Sequence, residues 1–340
     1  MYKNDIDVVI MWVDGSDKKW IAEKNKYLGN ELSRNDIDAS ANRYRDWDNL
    51  QYIFRGIEKN MPWVRKIHFV TNGQLPVWLN LSASKLNFVE HSDFIPQKYL
   101  PTFSANPIEL NLHRIKDLSE KFIFFNDDFF AISPAKETDF FRNGLPCDQV
   151  SLWRALSMSY DDPMPHIMIN NAAVINQNFS LMSTIKKHPE QWVSLRNSLI
   201  NLLLTASLLP ISRNRIPALY YHHLPQPFLR STLEQVWNAE GDILDEVCQN
   251  RFRSARDVSQ GLMKYWQIMS GDVSPKNIRR MGYYSSLDID DLHKVNKIIR
   301  NRKKKLLCLN DARVEDFEYT KRLILDAFNH ILPEKSEFEL

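Results

Sequence analysis

Apolar residues in the first part of the chain come in short, nearly continuous runs, each closed by a polar turn. Asp7 to Val13 (Asp-Val-Val-Ile-Met-Trp-Val) ends in Asp14-Gly15-Ser16-Asp17, and Lys66 to Thr71 runs into Asn72-Gly73. Leu86 to Glu90 is followed by His91-Ser92-Asp93, and Phe122 to Phe125 breaks abruptly into Asn126-Asp127-Asp128. Runs of this length, rich in β-branched and aromatic residues, predict strands covered on both faces. Between them the period changes to that of a helix. Leu50, Ile53, Phe54 and Ile57 share a face, with Asp46 placed to cap the N-terminus and Pro62 just past the end. Asn106-Pro107-Ile108-Glu109 predicts a second helix with Asn106 as cap, carrying His113 and Arg114 toward the Phe122 strand. Tyr27 to Asn42 is polar and low in pattern, and is read as a connection or lid.

Strand and helix alternating across short polar turns predict an α/β fold: a largely parallel, Rossmann-like or GT-A-like sheet covered by helices. Such sheets bind ligands beyond the carboxyl ends of their strands. The expected crevice therefore gathers Asp14, Asn72, His91 or Asp93, and Asp127 with Asp128. Beyond residue 131 the pattern becomes mainly helical, with helices expected over Trp192 to Leu209, Leu233 to Glu246, Ala255 to Met269, Leu292 to Leu306 and Phe317 to Ile331. The organisation read from this shift is residues 1–150 as a nucleotide-sugar-binding core and 151–340 as a mainly helical part that completes the site. No repeat or low-complexity tract interrupts either.

Composition narrows the classes. In 340 residues, 44% are hydrophobic and 25% charged, and 44 basic residues nearly balance 42 acidic ones, so neither disorder nor a dedicated nucleic-acid binder is expected. Cys147, Cys248 and Cys308 are odd in number and far apart, which fits a reducing compartment and a cytoplasmic protein. The longest greasy run, Leu199 to Leu209, is interrupted by Asn201 and closed by Pro210, so no transmembrane segment is expected, leaving peripheral contact with the inner membrane surface open. The basic run Arg300 to Lys305 reads as a solvated helix face, or as a contact for an anionic polymer or lipid.

Paired carboxylates at a strand end suit a hard cation, Mg2+ or Mn2+, that binds phosphate oxygens, and arginine forks match phosphate in bidentate fashion. Asp127 and Asp128 are the candidate metal ligands; Arg43, Arg45, Arg114, Arg251 and Arg253 are the candidate phosphate contacts. Each has a structural alternative: Asp127 as a turn cap, the arginines as ion pairs, Glu109 as a helix-capping residue. Tyr220-Tyr221-His222-His223-Leu224-Pro225 places two histidines in an aromatic loop, either as a proton acceptor or as packing. No nucleophile elbow, Walker loop, dinucleotide fingerprint or Cys/His metal cluster is present.

At this level of detail the residues resemble a known family. Ile6 to Asp17 resembles the first block of the Stealth sugar-1-phosphate transferases. Arg43 to Leu50, Asn60 to Ile67, Val70 to Leu79 and Phe122 to Asp128 resemble its long second block. His223-Leu224-Pro225 with Arg251-Phe252-Arg253 is similar to the third block. Cys308-Leu309-Asn310-Asp311 and the closing Pro333 to Glu339 are similar to the fourth, leaving about 131–214 unplaced. The resemblance implies transfer of a sugar-1-phosphate from a UDP-sugar to a hydroxyl of an oligo- or polysaccharide acceptor, with Asp127, Asp128, His223 and Arg253 as the catalytic core. It also implies Glu109, His113 and Arg114 in the same site, with Trp12, Asp14, Gly15, Arg43, Arg45, Asn72, Gly73 and Arg251 around the substrates. Two departures bear on roles. Asn is expected where this chain has Asp14, which argues against Asp14 as an obligate metal ligand; a second His is expected where it has Gln226, which leaves His223 as the base. Two rival readings remain: a metal-dependent glycosyltransferase releasing UDP, and a non-catalytic nucleotide-sugar or polysaccharide binder.

Overall fold

Strand ends set the architecture. The computed structural model describes residues 5–31, 37–38, 45–155, 162–287, 291–311 and 314–340. Its central sheet has the order Gln226–Leu229, Lys121–Phe125, Ile6–Met11, Ile67–Thr71, Leu86–Glu90. The last four run parallel, with Val9 opposite both His68 and Phe124, and only the Gln226–Leu229 edge is antiparallel. The expected α/β fold, a largely parallel Rossmann-like sheet covered by helices, is what forms.

Alternation along each strand explains why the runs are apolar without interruption. Val8, Ile10, Phe69, Ile123 and Phe125 enter one core, whereas Val9, Met11, Val70, Phe122 and Phe124 enter a second core on the opposite face. Helix Leu50–Asn60 and the C-terminal helix Phe317–Ile331 cover the first face, where Tyr52 stacks on Phe328 at 5.3 Å. Ala105–Asn111, Arg230–Gln249 and Gly261–Ser270 cover the second. A smaller sheet of Phe129–Ala131, Leu306–Asn310 and Gly282–Ser286 abuts the first face.

Several local expectations are corrected. Lys18–Glu31 is helical, so helix extends into the segment expected to be a connection; Trp20 holds it through an edge-on contact with Phe103 at 5.7 Å. The helix Ala105–Asn111 is capped by Ser104, whose side chain accepts from the Asn106 N–H at 3.4 Å. Asn106 instead donates to Asp257 at 2.8 Å. Asn49, not Asp46, precedes helix Leu50–Asn60, and the Asp46 carboxylate accepts from the Asp48 N–H. The helix beginning at Leu292 ends at Arg300, because Leu306–Asn310 is needed as a strand. Trp192 to Leu209 is two helices, Pro189–Trp192 and Leu199–Leu208. Among the described residues no helix is long and apolar enough to cross a membrane.

Candidate active site

In the parallel sheet, chain order reverses between Ile6–Met11 and Lys121–Phe125: two further strands follow outward from the first, and the fourth lies on its other side. Crossovers leave in opposite directions there, which opens a crevice at the carboxyl ends. Trp12 and Asn126-Asp127-Asp128 are the residues that follow these two strands, and all four line a cavity of about 1020 Å³. The three-residue link is short because its next residue already begins Phe129–Ala131, in the second sheet; Phe129 N–H closes the turn on the Asn126 carbonyl at 3.1 Å. Two rigid strands therefore clamp the two carboxylates between them.

Asp128 is tied through one carboxylate oxygen, while the other has no partner among the described residues. Its Oδ2 lies 3.3 Å from His223 Nε2 and accepts from the Cys308 thiol at 3.2 Å, while its backbone carbonyl accepts from Leu309 N–H at 3.0 Å. Oδ1 is buried with no hydrogen-bond partner among the described residues. Asp128, His223 and Cys308 form a group close enough to share an ion. Burial and then the Asp128 charge push the Cys308 thiol well up, which favours its protonated form as the donor to Asp128. Asp127 is open to the cavity, yet protein encloses it on most sides. Loss of solvation, then the like charges of Asp128 and Asp46, push its carboxyl up to about 7.

His223 stands against this acidic pair. Burial works against its charge, but Asp128 and then Glu109 more than offset that, and the imidazole is raised above its ordinary value. Phe129 and Tyr284 meet its ring edge-on at 4.9 and 6.1 Å. Glu109 is buried in the cavity wall, its carboxyl raised by burial against the opposing pull of Arg253, with Oε2 accepting from Gln260 N–H at 3.4 Å. Arg253 lines the same cavity and touches Met164 Sδ at 3.3 Å. Arg45 also lines it, held as a fork on Asp311 with Nε to Oδ2 at 2.9 Å, and packed over Phe317 at 4.5 Å.

The comparisons with known proteins agree along the chain. The models of Stealth protein conserved regions 1 and 2 match residues 4–31 and 43–148. A capsular polysaccharide phosphotransferase of Streptococcus pneumoniae is 40% identical across 99% of this chain and 99% of its own length. The chain belongs to the Stealth family. A Stealth relative from Streptococcus oralis, named as a receptor polysaccharide phosphotransferase, is 38% identical over 99% of this chain and its whole length. An exopolysaccharide phosphotransferase of Lactiplantibacillus plantarum is 34% identical over 98% of this chain and 96% of its own. Solved structures match only weakly. The galactosyltransferase LgtC is 11% identical with a TM-score of 0.38, covering 94% of this chain and 95% of its own. The bifunctional glycosyltransferase WbbM is 11% identical with a TM-score of 0.42, covering 97% and 52%. Nothing is carried over from either.

Of the residues expected in this Stealth chain's site, Asp127, Asp128, His223, Arg253, Glu109, Trp12, Arg45 and Asn72 line one cavity. Arg43 lies outside the described residues. Asp14, Gly15 and Gly73 do not line the cavity: Asp14 Oδ1 accepts from Ser16 N–H and Oγ at 2.8 and 2.6 Å, and its backbone is pinned to the Gln74 amide at 2.9 and 3.0 Å. They shape the crevice rim as a turn. His113 and Arg114 face helix Arg230–Gln249 instead, with Arg114 over Trp237 at 4.9 Å and bonded to Asn111 at 2.9 Å. Burial pushes His113 down to about 4. The helix tightens into a single 3-10 turn at Leu112–Arg114, which changes the direction in which these side chains leave it. Arg251 is likewise diverted, donating to the Pro101 carbonyl at 2.6 Å and packing over Tyr27 at 4.6 Å.

Sequence reasoning gave no role to Tyr221, Tyr283 or Asp311, all of which line the cavity, nor to Cys308, which reaches Asp128 from the neighbouring strand. Asp311 and Cys308 carried one signal, their place in the stretch that resembles the fourth Stealth block.

Proposed function

We propose that this protein transfers a sugar-1-phosphate, as hexose- or N-acetylhexosamine-1-phosphate, from a UDP-sugar to a hydroxyl of a growing capsular or cell-surface polysaccharide, forming a phosphodiester and releasing UMP. The observation that carries this reading is the His223 to Asp128 contact at the strand crevice, with Asp127 and Arg253 lining the same cavity. The phosphotransferase names of relatives that match nearly the whole chain support it. At about 1020 Å³ the cavity is at the upper end of small-molecule sites, which suits two substrates bound together.

Asp127 and Asp128 fit a Mg2+ or Mn2+ ion. Their oxygens are hard donors, Asp128 Oδ1 is buried without a partner among the described residues, and a cation would offset both the burial and the Asp128 charge that raise Asp127. When bound, the ion would supply positive charge to the donor's phosphate oxygens. The remaining work falls to the chain's own side chains. With the Nε2 proton of His223 held by Asp128, Nδ1 is the nitrogen able to take a proton from the acceptor hydroxyl. The hydroxyl oxygen forms a bond to the phosphorus next to the sugar, the bond from that phosphorus to the bridging oxygen breaks, and its electron pair leaves with UMP. The anomeric bond is untouched, so its configuration is retained. Arg253 offers a delocalised cation to the phosphoryl oxygens as charge redistributes, and Glu109 beside it holds the guanidinium and His223 in a balanced field.

Phosphorus NMR of the protein with divalent metal, UDP-sugars and short oligosaccharide acceptors tests this. UMP appearing in step with a phosphodiester resonance is expected, and UDP without one would make the protein an ordinary glycosyltransferase. His223→Ala, Arg253→Ala and Asp128→Asn should each lower kcat by roughly two to four orders of magnitude while leaving the fold intact.

A further inference from the structure

The helix Leu199–Leu208 is turned inside out. Its buried residues are polar: Asn201, whose carbonyl accepts from Ser151 Oγ at 3.1 Å, and Thr205, whose hydroxyl accepts from Leu152 N–H at 3.0 Å. Leu202, Leu204 and Leu208 are half-buried, but Leu199, Ile200 and Leu203 point to solvent, each more than 60% exposed, and the preceding loop adds Leu195 at 91%. Water gains nothing from such a face, and singly scattered exposed leucines do not account for a contiguous one.

Charge completes the picture. In the sequence Lys186, Lys187, Arg196, Arg213 and Arg215 flank this helix, and Glu190 is the single acid between residues 186 and 215. Leu195, Arg196 and Leu199 also form one wall of a groove of about 650 Å³ whose other walls bring Arg142, Lys276, Arg280 and Lys305. Asp139 in that groove is taken by Lys276 at 2.7 Å and Lys305 at 2.5 Å. Arg142, Arg196 and Arg280 have no side-chain hydrogen bond or ion pair among the described residues. Exposed leucines beside arginines that lack an anion are complementary to an amphiphile with an anionic head.

We propose that this face seats the protein on the anionic headgroup surface of a membrane, with Leu195, Leu199, Ile200 and Leu203 entering the acyl boundary and Arg142, Arg196 and Arg280 meeting lipid phosphates. The helix lies in the interface and does not cross it: its 10 residues reach about 15 Å, half the hydrocarbon thickness. Apart from Lys305, which lines the groove and is held by Asp139, the basic run from Arg300 does not compete for this role. Arg302 donates to the Ile331 carbonyl and Lys304 to that of Arg279, while Arg300 pairs with Asp326. The seat is also joined to the cavity. Leu199–Leu208 packs on Leu152–Trp153, Trp153 meets Tyr220 edge-on at 5.1 Å, and Tyr220 and Arg279 stand in the cavity wall next to groove-lining Arg280.

Flotation of the full chain with vesicles tests the proposal without reference to catalysis. Binding is expected to vesicles in which about a third of the lipid is phosphatidylglycerol, to weaken with salt, and to be absent from pure phosphatidylcholine. Leu199→Glu with Leu203→Glu should lower binding by about tenfold or more with circular dichroism unchanged, because both positions are exposed. Arg196→Glu with Arg280→Glu should lower it at low salt. Binding undiminished in both variants, or equal binding to neutral vesicles, overturns the proposal. So does a homodimer that the leucine substitutions split while vesicles bind neither form, which would make the face an interface between two copies.

Discussion

Lys264 is a buried ammonium that pairs, among the described residues, with Asp148 alone, at 3.2 Å, and the two respond differently to burial. Burial lowers Lys264 because one carboxylate does not replace its lost hydration. Asp148 is lowered despite burial, because Lys264, His222 at 3.1 Å and the Gln149 N–H at 2.6 Å all favour its charge. Lys264 also sits 5.2 Å over the Tyr221 ring, so the pair grips the two residues preceding His223. A buried pair is weak evidence for stability but costly to break on one side. Lys264→Met should therefore destabilise the protein by about 3 to 5 kcal/mol, and adding Asp148→Asn should recover much of that. Urea unfolding of the three forms decides it: equal losses in single and double variants would mean the charge pairing is irrelevant.

Helix Leu50–Asn60 meets the strand Phe129–Ala131 closely enough to exclude a side chain. A Cβ on Gly56 would stand 2.6 Å from the Ala131 carbonyl oxygen, which also accepts from Asn60 Nδ2 at 2.7 Å. Alanine favours a helix by about 1 kcal/mol over glycine, so on propensity alone Gly56→Ala would stabilise. Contact with backbone wins here, because a strand laddered to Leu306–Asn310, with this carbonyl already bonded to Asn60, cannot yield as a side-chain tip does. Gly56→Ala is expected to lower stability by about 1 to 3 kcal/mol and, by displacing the strand that follows Asp128, to lower turnover too. A higher melting temperature for the variant would show that the strand does yield. The same scale explains what the greasy run at Leu199 left open: periodicity locates a helix, but not which face meets protein.

Across the whole molecule, a polar knot at the amino ends of the strands balances the site at their carboxyl ends. Asp7 is buried and accepts from Arg65 at 2.8 and 2.5 Å and from Ser119 N–H at 2.8 Å, with His68 Nε2 at 3.0 Å. Burial opposes its charge, yet the His68 and Arg65 bonds prevail and hold the carboxyl below its ordinary range. A depressed carboxyl contributes stability that is fully present above its unfolded value of about 3.9 and is lost as pH falls toward the folded value. Unfolding free energy should thus drop below about pH 4, and Asp7→Asn should flatten that limb while costing stability at neutral pH. An unchanged limb in the variant would assign the acid loss elsewhere. The C-terminus returns to this core as well: Phe338 packs on Phe54 at 5.4 Å and Glu339 pairs with Arg55 at 2.6 Å.

The sequence by itself determined the four parallel strands of the central sheet and the acidic strand end, because a buried parallel strand must be apolar on both faces and a break in that pattern has few causes. It also marked His223 and Arg253, through motif resemblance and not through spacing. What only the tertiary structure decided is which polar groups share the cavity. Arg45 and Arg251 look alike along the chain, yet the fork of one lines the site and the other is spent on a carbonyl. His113 and Arg114 lie within five residues of Glu109 but leave the helix in another direction. Cys308 meets Asp128 across two strands of a sheet that no local pattern announces. Such choices depend on long-range register and side-chain direction, and a linear pattern carries neither.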